Sequence, residues 1–152
     1  MRQQRRDWVI ERISWGFLTL LLIGIACGLF GRGGPLSDRE LVSPGGIFRI
    51  EYERFIRYHS PDALRMAINV SAPSVRVRFD SGYIRQIQVE KITPQPEREI
   101  SEDGAIVYVF ETNPQTSMHA TFYYTPEEFG RLDGWVSVND GPRLPFSQFV
   151  YP

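Results

Sequence analysis

From Phe48 to the last residue, apolar and polar side chains alternate in short runs, broken about every ten residues by Asp, Gly or Pro. Alternation with period two puts one face of each run inward and the other outward, the pattern of a strand. Phe48, Ile50 and Tyr52 alternate with Arg49, Glu51 and Glu53. Leu64, Met66, Ile68 and Val70 share one face of the next run. SVRVRFD places Val75, Val77 and Phe79 opposite Arg76 and Arg78. Ile87 and Val89 oppose Gln88 and Glu90, and MHATFYY sets Met118, Ala120, Phe122 and Tyr124 against His119, Thr121 and Tyr123. AIVYVFE is apolar on both faces, as in a strand covered on both sides. WVSV and LPFSQFVY complete the set.

The breaks carry turn chemistry. FDSGY, SEDGA, RLDGW and VNDGP each place Asp and Gly between apolar runs, where a positive φ is needed. Phe55 and Ile56 are adjacent apolar residues, and this slip of phase predicts a bulge. TPEEFGRL, residues 125–132, predicts one short helix: Thr125 caps it, Pro126 suits its first turn, and Glu127 and Glu128 suit its dipole. About seven or eight short strands without long intervening helices predict an all-β fold, an antiparallel immunoglobulin-like β-sandwich over residues 47–152.

No charge interrupts the chain between Arg12 and Arg32, a stretch of 19 residues. As a helix it would be roughly 28 Å long, against a hydrocarbon thickness of about 30 Å. A signal-peptide apolar region is usually about 7–15 residues. Trp8 and Trp15 lie on its N-terminal side, and Arg2, Arg5, Arg6 and Arg12 flank it there. Positive charge on that flank places the N-terminus in the cytoplasm and the rest across a bacterial inner membrane, periplasmic or extracellular. The predicted organisation is a cytoplasmic N-terminus at 1–12, a single-pass transmembrane helix at 13–31, a Gly/Pro-rich linker at 32–46 and the sandwich from 47. LSDREL within that linker predicts no more than a helical turn. Two other readings of the apolar run stay open: a signal peptide cleaved after Ala26, and acylation at Cys27, although Gly24 stands where a lipoprotein leader usually has Leu. Gly24 and Gly28 form a GxxxG pair that would let helices pack closely.

Chemistry-bearing constellations are scarce. Cys27 is the single cysteine, so one chain can form neither a disulfide nor a Cys-based zinc site. His59 and His119 are too few for a metal site, and Ser60 beside His59 has no acidic partner set by spacing. No phosphate-binding, dinucleotide or zinc-protease motif occurs. The sequence therefore predicts no catalytic residue, no metal and no cofactor. Net charge is −1, and the segment after the apolar run carries 13 basic and 16 acidic residues, which argues against nucleic acid as a partner.

The charge is unevenly placed. Residues 49–85 hold seven Arg against four acids, while residues 86–152 hold four basic residues against ten acids. One reading is that the halves meet as cross-strand pairs. The other is a basic interaction face built from Arg76, Arg78 and Arg85, suited to lipid phosphates or an acidic partner. The terminal RLPFSQFVYP reads as a last strand with its aromatics inward, or as an exposed docking patch.

FRIEYERFIRYHSP, ITPQPE and the terminal GPRLPFSQFVYP together resemble a group of small single-pass bacterial membrane proteins with an extracytoplasmic β-domain, loosely associated with YetF-type multi-spanning proteins. The resemblance covers about residues 30–152 and implies no activity and no catalytic residue. It implies an envelope protein that works with a membrane-protein partner. The expected function is thus a non-catalytic, membrane-anchored accessory or assembly protein of an inner-membrane complex, with a YetF-type partner or a homodimer. The alternative is a self-contained binding module for a lipid, glycan or other envelope ligand, which a pocket lined by residues such as Tyr123 and Trp135 would favour.

Overall fold

The computed structural model describes residues 12–23 and 37–152. Residues 12–23 form helix α1. Among the described residues, no helix is long and apolar enough to cross a membrane. Residues 24–31 of the expected 13–31 span, with Gly24, Cys27 and Gly28, lie outside the described residues.

Asp38–Pro152 forms one compact unit of eleven strands in two sheets. The strands are β1 (Asp38–Val42), β2 (Phe48–Glu53), β3 (Phe55–Arg57), β4 (Asp62–Ile68), β5 (Ser74–Asp80) and β6 (Ile87–Thr93). The rest are β7 (Arg98–Glu102), β8 (Ala105–Glu111), β9 (Met118–Pro126), β10 (Gly130–Val138) and β11 (Leu144–Tyr151). The first sheet has the order β1-β2-β4-β9-β6 and the second β3-β11-β10-β5-β8-β7. All pairings are antiparallel except β3 with β11.

The inward faces are those the alternation predicts. Phe48, Ile50, Leu64, Met66, Ile68, Val75, Val77, Phe79 and Phe122 are all buried between the sheets. Phe122 of β9 meets Phe79, Tyr108 and Phe110 of the opposite sheet edge-on, with centroids 4.9, 5.4 and 6.3 Å away. Such T-shaped contacts add to the area that the rings remove from water.

Four local expectations are corrected. The sheet begins at Asp38, inside the stretch read as linker: β1 pairs with β2 from Asp38↔Glu53 to Val42↔Arg49. The phase slip at Phe55 is a change of sheet, not a bulge. The chain leaves the first sheet at Arg54 and joins the second as β3, with Phe55 opposite Phe149. TPEEFGRL is not helical: Thr125 and Pro126 end β9, and Gly130 (φ 94°) begins β10. RLDGW is not a turn, because Gly134 lies mid-strand opposite Phe146.

A helical turn appears instead in FDSGY. α2 (Ser81–Ile84) is capped by Asp80, whose carboxylate accepts from the Tyr83 N–H at 3.3 Å. β5 pairs with β10 only from Val136↔Phe79 to Val138↔Val77. Beyond that, the buried Tyr83 ring packs over Gly134, where an added Cβ would lie 2.7 Å from Tyr83 Cβ. A strand glycine that admits a neighbour this closely is a packing requirement. SEDGA does turn as predicted: Asp103 (φ 47°) and Gly104 (φ 73°) join β7 to β8.

Candidate functional site

Arg76 and Arg78, assigned by sequence to a basic face, lie on the outer face of β5 but do not present free charge. Arg76 pairs with Glu102 at 2.7 Å and approaches Asp140 at 3.7 Å, and Arg78 pairs with Asp140. In register, Arg78 stands between Val107 of β8 and Ser137 of β10. Both neighbours are buried although they face outward, and so is Ala105. Arg78 is itself largely covered, and its Nε is buried without a hydrogen bond. Arg78 thus stands in register beside buried side chains, and the guanidiniums of both arginines are paired with carboxylates from the acidic half of the chain. Arg76 and Arg78 are paired with Glu102 of β7 and with Asp140 in the turn after β10. Arg85, exposed at the C-terminal end of α2, belongs to a different part of the surface.

His59 and His119 are both exposed. His59 precedes β4 and stacks on Tyr58 at 3.9 Å, while His119 lies opposite Ala67 near the far end of that strand. About 16 Å or more of strand separates them. Among the described residues, no group of three His, Cys, Asp or Glu is placed to hold a metal ion. Tyr123 is exposed on β9, and the Trp135 ring is covered by the Arg143 guanidinium at 4.1 Å; neither lines the two grooves described below.

One feature that can hold a ligand lies where the sandwich is open between β1 and β11. β3 covers only Phe149–Tyr151 of the β11 edge. Phe149 N–H donates to the Arg54 carbonyl at 2.7 Å, and Tyr58 N–H donates to the Tyr151 carbonyl at 2.8 Å. Two-residue periodicity puts Ser147 and Pro145 on the same edge, past the end of β3. Pro145 offers no N–H there. This edge is thereby blunted against another strand.

What remains is a groove of about 780 Å³. β1 supplies Arg39 and Leu41, the sheet crossing supplies Arg54 and Phe55, and β10 and β11 supply Arg131, Asp133, Phe146 and Phe149. Tyr52 closes its inner wall and meets Phe146 edge-on at 5.4 Å. Burial raises the Tyr52 phenol above its ordinary value; the Ser147 backbone, Arg39 and Arg54 oppose that rise, so both guanidiniums act at this hydroxyl. On the rim, Arg131 donates to Asp133 at 2.7 Å and to the Ser147 hydroxyl at 3.2 Å, and the Arg131 bond is the main cause that lowers the Asp133 carboxyl. Three arginines and one carboxylate thus line the groove.

A second groove, of about 900 Å³, opens on the opposite side between β6 and β7. Glu90, Glu97 and Glu99 line it with Lys91 and Arg98, and Arg98 pairs with Glu97 at 3.0 Å. The two openings therefore carry opposite charge. Sequence reading missed the first groove because β1 and β3 were not recognised. The adjacent aromatic and Arg residues at Arg54–Phe55 were the signal available.

The chain matches no family model, and no curated protein resembles it in sequence.

Proposed function

We propose that the chain is a membrane-anchored, non-catalytic binding module of the bacterial envelope, whose ligand occupies the groove between β1 and β11. The observation that carries this reading is the groove itself, with its aromatic wall and its excess of arginine over carboxylate.

The anchor is the uncharged run between Arg12 and Arg32. Within it, residues 12–23 are helical and expose Ile13, Phe17 and Leu20 by 66, 65 and 72%. Apolar side chains in that number are costly in water and favourable in lipid. The flanking arginines support an N-terminus in the cytoplasm and a sandwich outside.

The sandwich reads as immunoglobulin-like. β2, β4, β9 and β6 stand in the order of strands A, B, E and D, and β5, β10 and β11 in the order C, F and G. β1, β3 and the β7–β8 hairpin are additions to those edges.

A second reading, an accessory subunit of an inner-membrane complex, draws on Phe55, Phe149 and Tyr151. These are 44, 49 and 40% exposed along the paired β3–β11 edge. The resemblance to the YetF-associated group would make a multi-spanning protein of that type its partner. Purification of the full chain in mild detergent through a C-terminal tag, with mass spectrometry of the eluate, separates the two. The binding-module reading expects no stoichiometric protein partner. A multi-spanning protein at one-to-one ratio would overturn it in favour of the accessory subunit.

A further inference from the structure

Taking the groove as a ligand site, we infer that it receives the anionic headgroup of an acidic phospholipid, with Arg39 and Arg54 on the phosphate and Tyr52, Phe55 and Phe149 beside the glycerol and upper chain. Charge is the first argument. Arg39 and Arg54 are not ion-paired among the described residues, whereas Arg76 and Arg78 on β5 are neutralised by acids. Planar guanidiniums suit a phosphate better than any other side chain, because each offers two parallel donors.

The second argument is the company these charges keep. The Arg54 guanidinium lies 5.5 Å over the Phe55 ring, and Phe55 lies opposite Phe149 in register. Leu41 and Phe146 continue this apolar wall into the groove. A small soluble anion would use the arginines and leave those rings in water, whereas an amphiphile uses both.

The third argument is connectivity. Asp38, the first residue of β1, is in register with Glu53, the residue before Arg54. The fourteen residues 24–37 that join α1 to this end of the sandwich can span at most about 50 Å by chain length alone. With α1 in a bilayer, this tether bounds how far the groove can lie from the membrane and raises the local concentration of headgroups it meets.

The test titrates the full-length protein, in a neutral maltoside micelle, with dihexanoyl phosphatidylglycerol, dihexanoyl phosphatidylcholine and inorganic phosphate, read by calorimetry. Phosphatidylglycerol is expected to bind at least tenfold more tightly than either of the others. The Arg39→Gln/Arg54→Gln variant is expected to lose at least tenfold of that affinity with an unchanged melting temperature, and Arg85→Gln to bind as the wild type does. Inorganic phosphate binding as tightly as phosphatidylglycerol would overturn the lipid assignment in favour of a soluble anion. Equal binding of the two lipids, or indifference to the Arg39/Arg54 pair, would overturn the anion assignment. In that case, loss of both lipids on Leu41→Trp would still leave the groove as the binding site. Absence of binding by all three probes would also overturn the inference, while the groove reading is judged separately by what the purified protein retains.

Discussion

The Tyr83 hydroxyl donates to Gln148 Oε1 at 2.7 Å, and this bond joins α2 to the last strand of the chain. Gln148 is buried, and its amide nitrogen donates at 2.7 Å both to the Glu53 carbonyl and to the Tyr124 hydroxyl. Tyr124 in turn donates to Asp62 at 3.3 Å. The Glu53 carbonyl sits where the chain leaves one sheet for the other, so one side chain satisfies the backbone at the crossing and bridges both sheets. A buried network with every member paired specifies a unique arrangement.

Gln148→Leu keeps the volume and removes the pairing. It leaves the Glu53 carbonyl and the Tyr83 hydroxyl without this partner. The expected cost is about 2–4 kcal/mol, since each buried polar group left unsatisfied costs about 1–3 kcal/mol. Urea unfolding of wild type and variant measures it.

Gly134→Ala is expected to destabilise by about 2 kcal/mol or more, because the new methyl must displace Tyr83 at 2.7 Å. At this domain size that is a loss of roughly 8 °C in Tm. Thermal melting followed by near-ultraviolet circular dichroism would report it, and an unchanged Tm would show that α2 does not press on β10.

Arg78 is expected to behave as a cover more than as a charge. Arg78→Met keeps an unbranched stem over Val107 and Ser137 and is expected to cost less than about 1 kcal/mol. Arg78→Ala uncovers that apolar face and is expected to cost about 1–2 kcal/mol more than Met does. Equal costs for the two variants would assign the residue's contribution to its pairing with Asp140.

Alkaline pH is expected to weaken the sandwich before any acid effect of comparable size. Burial is the main cause that raises the phenols of Tyr83 and Tyr124, and burial likewise pushes Tyr108 up to about 12. A raised folded-state value favours the neutral form in the folded protein. The resulting stability is whole below about pH 10, where the unfolded phenols are also neutral. It falls as pH rises from there towards the folded values, by about 1.4 kcal/mol per pH unit for each buried tyrosine. Denaturant unfolding at pH 9, 10 and 11 reads the slope, and Tyr108→Phe is expected to make it shallower.

The long alternating runs were legible because both their faces are decided locally: Val75, Val77 and Phe79 face the core with nothing but period two to say so. β1 and β7 were not legible. Their residues are mostly exposed, DRELV and REISE, and pair because a neighbouring strand offers an edge. Gly134 reads as a turn in isolation because its cause, the Tyr83 ring, lies fifty-one positions away in sequence. Phe55 and Ile56 break the phase for the same kind of reason, since they belong to different sheets from the residues before them. The arginines of β5 look like a binding face until Glu102 and Asp140 are placed beside them. Those of the groove do not, because Arg39, Arg54 and Arg131 are brought together only by the fold.

The most direct test of the groove as a ligand site is native mass spectrometry of the full-length protein released from mild detergent, beside the Leu41→Trp variant that fills the groove. The wild type is expected to carry a bound non-protein mass that the variant lacks at equal folded fraction. A wild type as bare as the variant, or a variant that keeps the same adduct, would contradict the account.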